Sequence, residues 1–232
     1  MPDLLTTSQL AEYLQLSERS VYRLLERGEI PALKVGGQWR FRKSTVDEWL
    51  DLQLHNMGAA ELHESFGEAM TEPTSISDLL SPDNIFLDLR SGSRAEVLAS
   101  LAERVHLPEP VDRELLLQRL LEREELCTTA MPDGVAVPHT PRTRERLLKH
   151  HDLVAVARTT EPVNFGALDG QPTQVFMLVL ARDERAHLAL VARVTRLVRE
   201  PSVLKALRSA STPSAVLQEI EVAEARIFSG MP

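Results

Sequence analysis

At 232 residues the chain is long enough for two small domains, and 43% hydrophobic with 26% charged residues is an ordinary globular composition. A formal net charge of −8 argues against a general nucleic-acid or membrane-surface protein, so any DNA contact must come from a local basic patch. Cys127 is the sole cysteine, which excludes an internal disulfide, suits a reducing cytosol and reads as a small buried residue. Met1 to Leu5 carries no signal pattern, and no apolar run approaches the roughly 20 residues of a membrane helix, so a cytoplasmic protein is expected.

Residues 1–52 read as a small head. Thr6 to Leu14 is a predicted helix, with Thr6 and Gln9 at capping-box spacing and Leu10, Ala11 and Leu14 as its apolar stripe. Ser17 can cap a second helix that Gly28 ends. In it Val21, Leu24 and Leu25 face inward and leave Arg19, Ser20, Tyr22 and Arg23 outside. This is a helix-turn-helix pattern with the second helix in the reading position. Val35 and Trp39 to Phe41 are short strands about a Gly36-Gly37 turn. Lys34, Gln38, Arg40, Arg42 and Lys43 gather there with no acid between Lys34 and Lys43. Ser44 caps a third helix, STVDEWLDL, with Asp47 in its first turn. A packing module with a solvated basic edge would share this pattern.

TTSQLAEYL, SERSVYRLLERGEIPALKVGGQWRF and STVDEWL together resemble the MerR-like, excisionase-type winged helix-turn-helix. That resemblance implies that the helix from Ser17 enters the major groove and that the Gly36-Gly37 wing meets backbone or minor groove. Glu18, Glu26 and Glu29 lie near the reading surface and oppose phosphate attraction, so modest monomer affinity and a homodimer on paired sites are expected.

Residues 53–74 read as a linker, acidic and without Lys or Arg. Its His55 and His63 have no partners at metal spacing, and neither a metal nor another cofactor is expected. Residues 75–222 interleave strands and helices, which predicts an α/β sandwich, a mixed sheet flanked by helices, with a tail at 223–232. Ile85 to Leu89 is a first strand. Ser93 caps a helix, and Val111 to Glu122 is another, placing Arg123 at a helix end. Asp152 to Arg158 and Thr173 to Ala181 are strands, the second apolar without alternation and so covered on both faces. Asp183 caps a helix whose inward stripe is His187, Val191, Val194 and Val198. Two shorter helices, from Ser202 and Ser214, close the domain. His106, His150 and His151 read as surface residues.

The segment Arg123 to Arg142, REELCTTAMPDGVAVPHTPR, carries the chemistry. Val135 to Val137 reads as a buried strand that Pro138 stops, which leaves His139 where strand gives way to loop. Arg123, Thr128 and Thr129 are donors suited to an anion. These residue types fit a phosphoryl acceptor and also fit a partly buried histidine that closes a strand. His187 in a first helical turn fits an anion-facing imidazole and also a core residue.

REELCTTAMPDGVAVPH, with SISDLLSPDNIFLDL, VNFGALDGQPTQVFMLVLA and AHLALVARVTRLV, resembles the type-2 EIIA domains of the bacterial phosphotransferase system, the fructose/mannitol class with its nitrogen-related branch. The likeness spans Ser75 to Val222. It implies that His139 carries a phosphoryl group, that His187 and Arg123 are the family's second histidine and arginine, and that Thr128 and Thr129 hold phosphoryl oxygens. It also implies an HPr-type phosphocarrier as partner, with the transporter channel absent from this chain. Ala130 to Asp133 and Thr140-Pro141 depart from the family's glycines. Pro132 and Pro141 remove two backbone donors, and Asp133 would repel phosphate if it pointed in. Three functions are open on these grounds: a DNA-binding regulator reporting phosphorylation of His139, a phosphocarrier feeding a separate EIIB, and a DNA-binding protein whose EIIA-like domain only binds other proteins.

Overall fold

The computed structural model describes residues 4–14, 16–43, 45–46, 49–50, 75–108, 110–126, 128–140, 147–148, 150–167 and 169–228. The expected linker, Ser44 and Asp47 of the third helix, Cys127, Pro141 and residues 229–232 lie outside them. The chain forms two compact units, one N-terminal and one C-terminal.

The N-terminal unit begins with a strand that the sequence did not announce, β1 (Leu4–Leu5), paired antiparallel with β3 (Gln38–Arg42). Two residues are too few to show a period of 2. Helix α1 (Thr7–Leu14) starts on the expected capping box: the Thr6 amide donates to Gln9 Oε1 at 2.9 Å, and the Gln9 amide to Thr6 Oγ1 at 3.2 Å. Helix α2 (Glu18–Glu26) is capped by Ser17 and buries Val21. Strands β2 (Leu33–Val35) and β3 form the wing. Val35 pairs with Gln38 across a two-residue turn, and both Gly36 and Gly37 have positive φ, as a type I′ turn requires. Residues 43, 45–46 and 49–50 are helical, with Val46 and Leu50 buried.

In the C-terminal unit the sheet order is β4-β7-β8-β6-β5. These strands are Ile85–Leu89, Leu153–Val163, Thr173–Leu180, Val135–Ala136 and Ala130–Met131 respectively. β7 and β8 run antiparallel, while β4 on β7 and β6 on β8 are parallel. The sheet is therefore mixed. Val175 to Leu180 is buried throughout, as its unbroken apolar run implied. Leu89, Leu98, Leu101, Leu116, Leu120 and Phe165 build one core with Phe176, the two phenylalanine rings meeting edge-on at 5.1 Å.

The helices here are α3 (Ile76–Leu79), α4 (Arg94–Arg104), α5 (Arg113–Leu126), α6 (Glu184–Val198), α7 (Pro201–Ser209) and α8 (Pro213–Phe228). Ser93 and Glu96 form a reciprocal capping box on α4, and Asp183 caps α6. Three sequence expectations are corrected. Helix α5 starts later than Val111, because Asp112 Oδ1 accepts from the amides of Glu114 and Leu115. It also runs on past Glu122, which places Arg123 inside its last turn. The last helix is not short and leaves no tail at 223, because Ala223 and Glu224 are buried and hold it to Phe228.

Glu224 explains that extension. Its carboxylate accepts from the amides of Ile76 and Ser77 at 2.8 Å each, and from the hydroxyls of Ser75 and Ser77 at 2.7 Å each. Burial pushes the Arg193 guanidinium below its ordinary value, and the charge of Glu224 pushes it back up. One carboxylate thus ties α8 to the start of α3.

Candidate functional site

The site forms where α5, β6 and α6 converge. The hydrogen-bonded run of β6 is short, because Pro138 has no amide proton to continue it. The Pro138 carbonyl still accepts from the Val179 amide at 2.9 Å, and His139 sits in a parallel bridge with Val179. The central strand therefore fixes the histidine's backbone, and its side chain is 1% exposed.

Both ring nitrogens of His139 are bonded. Nδ1 lies 2.8 Å from the Val137 carbonyl oxygen, which can only accept. Nδ1 must then carry the proton, and Nε2 presents a lone pair. Arg123 Nε–H donates to that lone pair at 3.0 Å. The second histidine, His187 in the first turn of α6, meets the His139 ring edge-on with centroids 5.0 Å apart. His139, His187 and Arg123, separated by 64 positions at most, form one buried cluster.

The two threonine hydroxyls both donate to acceptors within the protein. The Thr128 hydroxyl donates to the Phe165 carbonyl at 3.0 Å and accepts from the Ala130 amide at 3.1 Å. The Thr129 hydroxyl donates to Glu124 Oε2 at 2.5 Å. Both hydroxyl protons are committed to protein acceptors, so in this arrangement neither is available to a phosphoryl oxygen.

Glu124 and Arg94 also belong to the site, though no local pattern marks either for a role there. Glu124 is 3% exposed and also accepts from the Thr129 amide at 3.1 Å. Burial raises its carboxyl above the usual glutamate range, while the Thr129 bonds, Thr128 and the Arg94 charge 3.9 Å away pull it down. Asp133, a departure from the family, is exposed and left-handed at φ 63°. Its amide donates to Asp169 Oδ2 at 3.3 Å and its carbonyl accepts from Arg208, so its backbone is spent on holding the β5–β6 turn. His106, His150 and His151 are exposed, as expected.

On the N-terminal unit, Arg19, Tyr22 and Arg23 of α2 are exposed and Ser20 is half-buried, its hydroxyl 2.9 Å from that of Ser17. Lys34, Gln38 and Arg42 of the wing are exposed too. Lys34 lies over the Trp39 ring at 5.4 Å, and Arg40 donates to Gln38 and to the Trp39 carbonyl. Lys43 donates to the Tyr13 hydroxyl at 3.2 Å and lies over its ring at 4.6 Å, so it is half-buried against α1.

Residues 78–222 match the family described as phosphoenolpyruvate-dependent sugar phosphotransferase system, EIIA 2. Residues 4–51 match a helix-turn-helix domain. A nitrogen regulatory protein of Bradyrhizobium diazoefficiens is 33% identical over 144 residues, which is 61% of this chain and 91% of that protein. A multiphosphoryl transfer protein of Escherichia coli K12 is 25% identical over 194 residues, 83% of this chain and 23% of that protein. The crystal structure of the nitrogen regulatory protein IIA-Ntr from Neisseria meningitidis has a TM-score of 0.56 at 26% identity, covering 62% of this chain and 98% of that one.

Proposed function

This chain belongs to the EIIA type-2 family of the phosphoenolpyruvate-dependent sugar phosphotransferase system and carries a helix-turn-helix domain ahead of it, and from that premise we propose a DNA-binding regulator whose His139 accepts a phosphoryl group from an HPr-type phosphocarrier. The observation that carries this reading is the pair of bonds on the His139 ring. With the proton held at Nδ1 by the Val137 carbonyl, Nε2 is the nucleophile. Arg123 already points its guanidinium at that atom. When Nε2 attacks phosphorus in line, the donor's P–N bond breaks and the donor imidazole leaves with its electron pair. Arg123 gives up that lone pair before the attack and pairs instead with the phosphoryl oxygens. His187 packs against the ring and keeps it oriented. Thr128 and Thr129 hold the loop and do not hold the phosphate.

The test is labelled phosphoenolpyruvate with enzyme I and HPr, or its nitrogen-branch counterpart. One acid-labile, base-stable phosphate per chain is expected. Onward transfer to a separate EIIB would favour the plain phosphocarrier, and absence of label would favour a purely protein-binding domain. Arg123→Ala should slow phosphorylation by about one to two decades, since a charge-assisted contact of roughly 1.5–3 kcal/mol is lost. Arg123→Lys should restore only part, because an ammonium lacks the planar fork. Equal rates for all three would remove Arg123 from the site.

In this reading DNA is held by the exposed side chains of α2 and the wing, and the charge on His139 modulates that hold. Replacing Arg40 and Arg42 by Gln should weaken binding to every sequence and flatten its dependence on salt, whereas Arg19→Ala or Arg23→Ala should alter preference among sites. A gel shift reproduced by residues 75–232 alone would refute the assignment.

A further inference from the structure

The last turn of α5 reaches His139 from both sides of the imidazole. Arg123 does so directly, at Nε2. Its neighbour Glu124 does so through two intermediaries. The Glu124 carboxylate takes the amide and the hydroxyl of Thr129. The Thr129 carbonyl takes the Val137 amide at 3.0 Å. The Val137 carbonyl takes the His139 Nδ1 proton at 2.8 Å. Glu124, Thr129, Val137 and His139 are all buried, so no water replaces a broken link cheaply.

We infer that Glu124 is a positioning residue that, through Thr129 and Val137, holds His139 in the Nδ1–H tautomer and so selects Nε2 as the phosphorylated nitrogen. The two tautomers of a histidine are close in energy in water, and the bond at the other nitrogen decides between them. Here that bond is only as well aimed as the Val137 carbonyl, and the carbonyl's aim depends on Thr129. A buried carboxylate that takes both the amide and the hydroxyl of one residue is a strong anchor for it. A glutamine in its place could accept the Thr129 amide but would turn an NH2 toward the hydroxyl, which must then rotate and let go. The inference rests on the proposed phosphorylation of His139 for its consequence, but its physical content is a proton position that exists without any phosphodonor.

Long-range proton–nitrogen NMR of the unphosphorylated full chain reads that position directly. Wild type should show His139 with its proton on Nδ1. Glu124→Gln and Thr129→Val should move the signals toward a mixture of tautomers, while Thr129→Ser, which keeps the hydroxyl, should restore wild type. In the phosphotransfer assay the first two variants should lose about tenfold to a hundredfold in rate and gain Nδ1-linked phosphohistidine beside the Nε2 form. A wild-type His139 protonated on Nε2, or averaging between tautomers, overturns the inference whether or not any variant folds. Folded Glu124→Gln and Thr129→Val proteins with the wild-type tautomer overturn it as well. A tautomer lost in these variants in a chain that takes up no label would support the inference and refute the functional reading instead, so the two fail separately.

Discussion

His139→Ala is expected to take up no phosphoryl group at all from the HPr-type donor, while His187→Ala takes it up more slowly or holds it for less time. The difference follows from what each ring offers. Nε2 of His139 is the lone pair that Arg123 addresses, and alanine has no atom there to bond to phosphorus. Among the described residues, the other imidazoles do not substitute: His106, His150 and His151 are exposed and stand on other loops. His187 meets the acceptor ring edge-on at 5.0 Å, a distance suited to orienting it. Its loss opens space beside His139 and leaves the nucleophile in place. Quantified label after acid and base treatment checks both variants, and undiminished label in His139→Ala would displace the acceptor to another residue.

Glu224→Ala is expected to cost about 2–4 kcal/mol of stability, the largest loss among polar substitutions in the C-terminal unit. The carboxylate is 6% exposed and serves four donors from Ser75 to Ser77, two of them backbone amides at the first turn of α3. Alanine leaves those amides without an acceptor and takes from Arg193 a charge that offsets its burial. For a unit of this size the melting temperature should fall by roughly 4–16 °C. Glu224→Gln, which keeps one acceptor oxygen, should lose less. A calorimetric midpoint unmoved by Glu224→Ala would mean that water takes over the carboxylate's place.

Much of this architecture was legible because its signals are local. Ser17, Ser93 and Asp183 stand where a cap is needed, and each accepts from the amide three residues on. His139 follows a proline that ends a buried strand, and His187 stands in a first helical turn on an inward stripe. The parts that were missed depend on the third dimension. Glu122, Glu124 and Glu125 sit in a row of charges at the end of α5, and nothing in one dimension marks the middle one as the group turned inward onto Thr129. Thr128 reads as a free donor because the Phe165 carbonyl is 37 positions away and unseen in the local pattern, and Thr129 does so because nothing local marks Glu124 as its acceptor. The end of α8 reads as a tail because Glu224 and Arg226 look like surface charge until Ser75 to Ser77 arrive across the fold.

The guanidinium over Nε2 also bears on fidelity. On the proposed reading, His139 stores a signal as a phosphoryl group and must not take one from the small phosphorylated metabolites dissolved around it. His139 is 1% exposed and its reactive lone pair is stoppered by Arg123. A freely diffusing acyl phosphate has little binding energy with which to dislodge that plug, whereas a docked protein donor has a whole contact surface to draw on. On the proposed reading, the resting state would be deaf to background chemistry, and a phosphoryl group on the ring would report the identity of its donor.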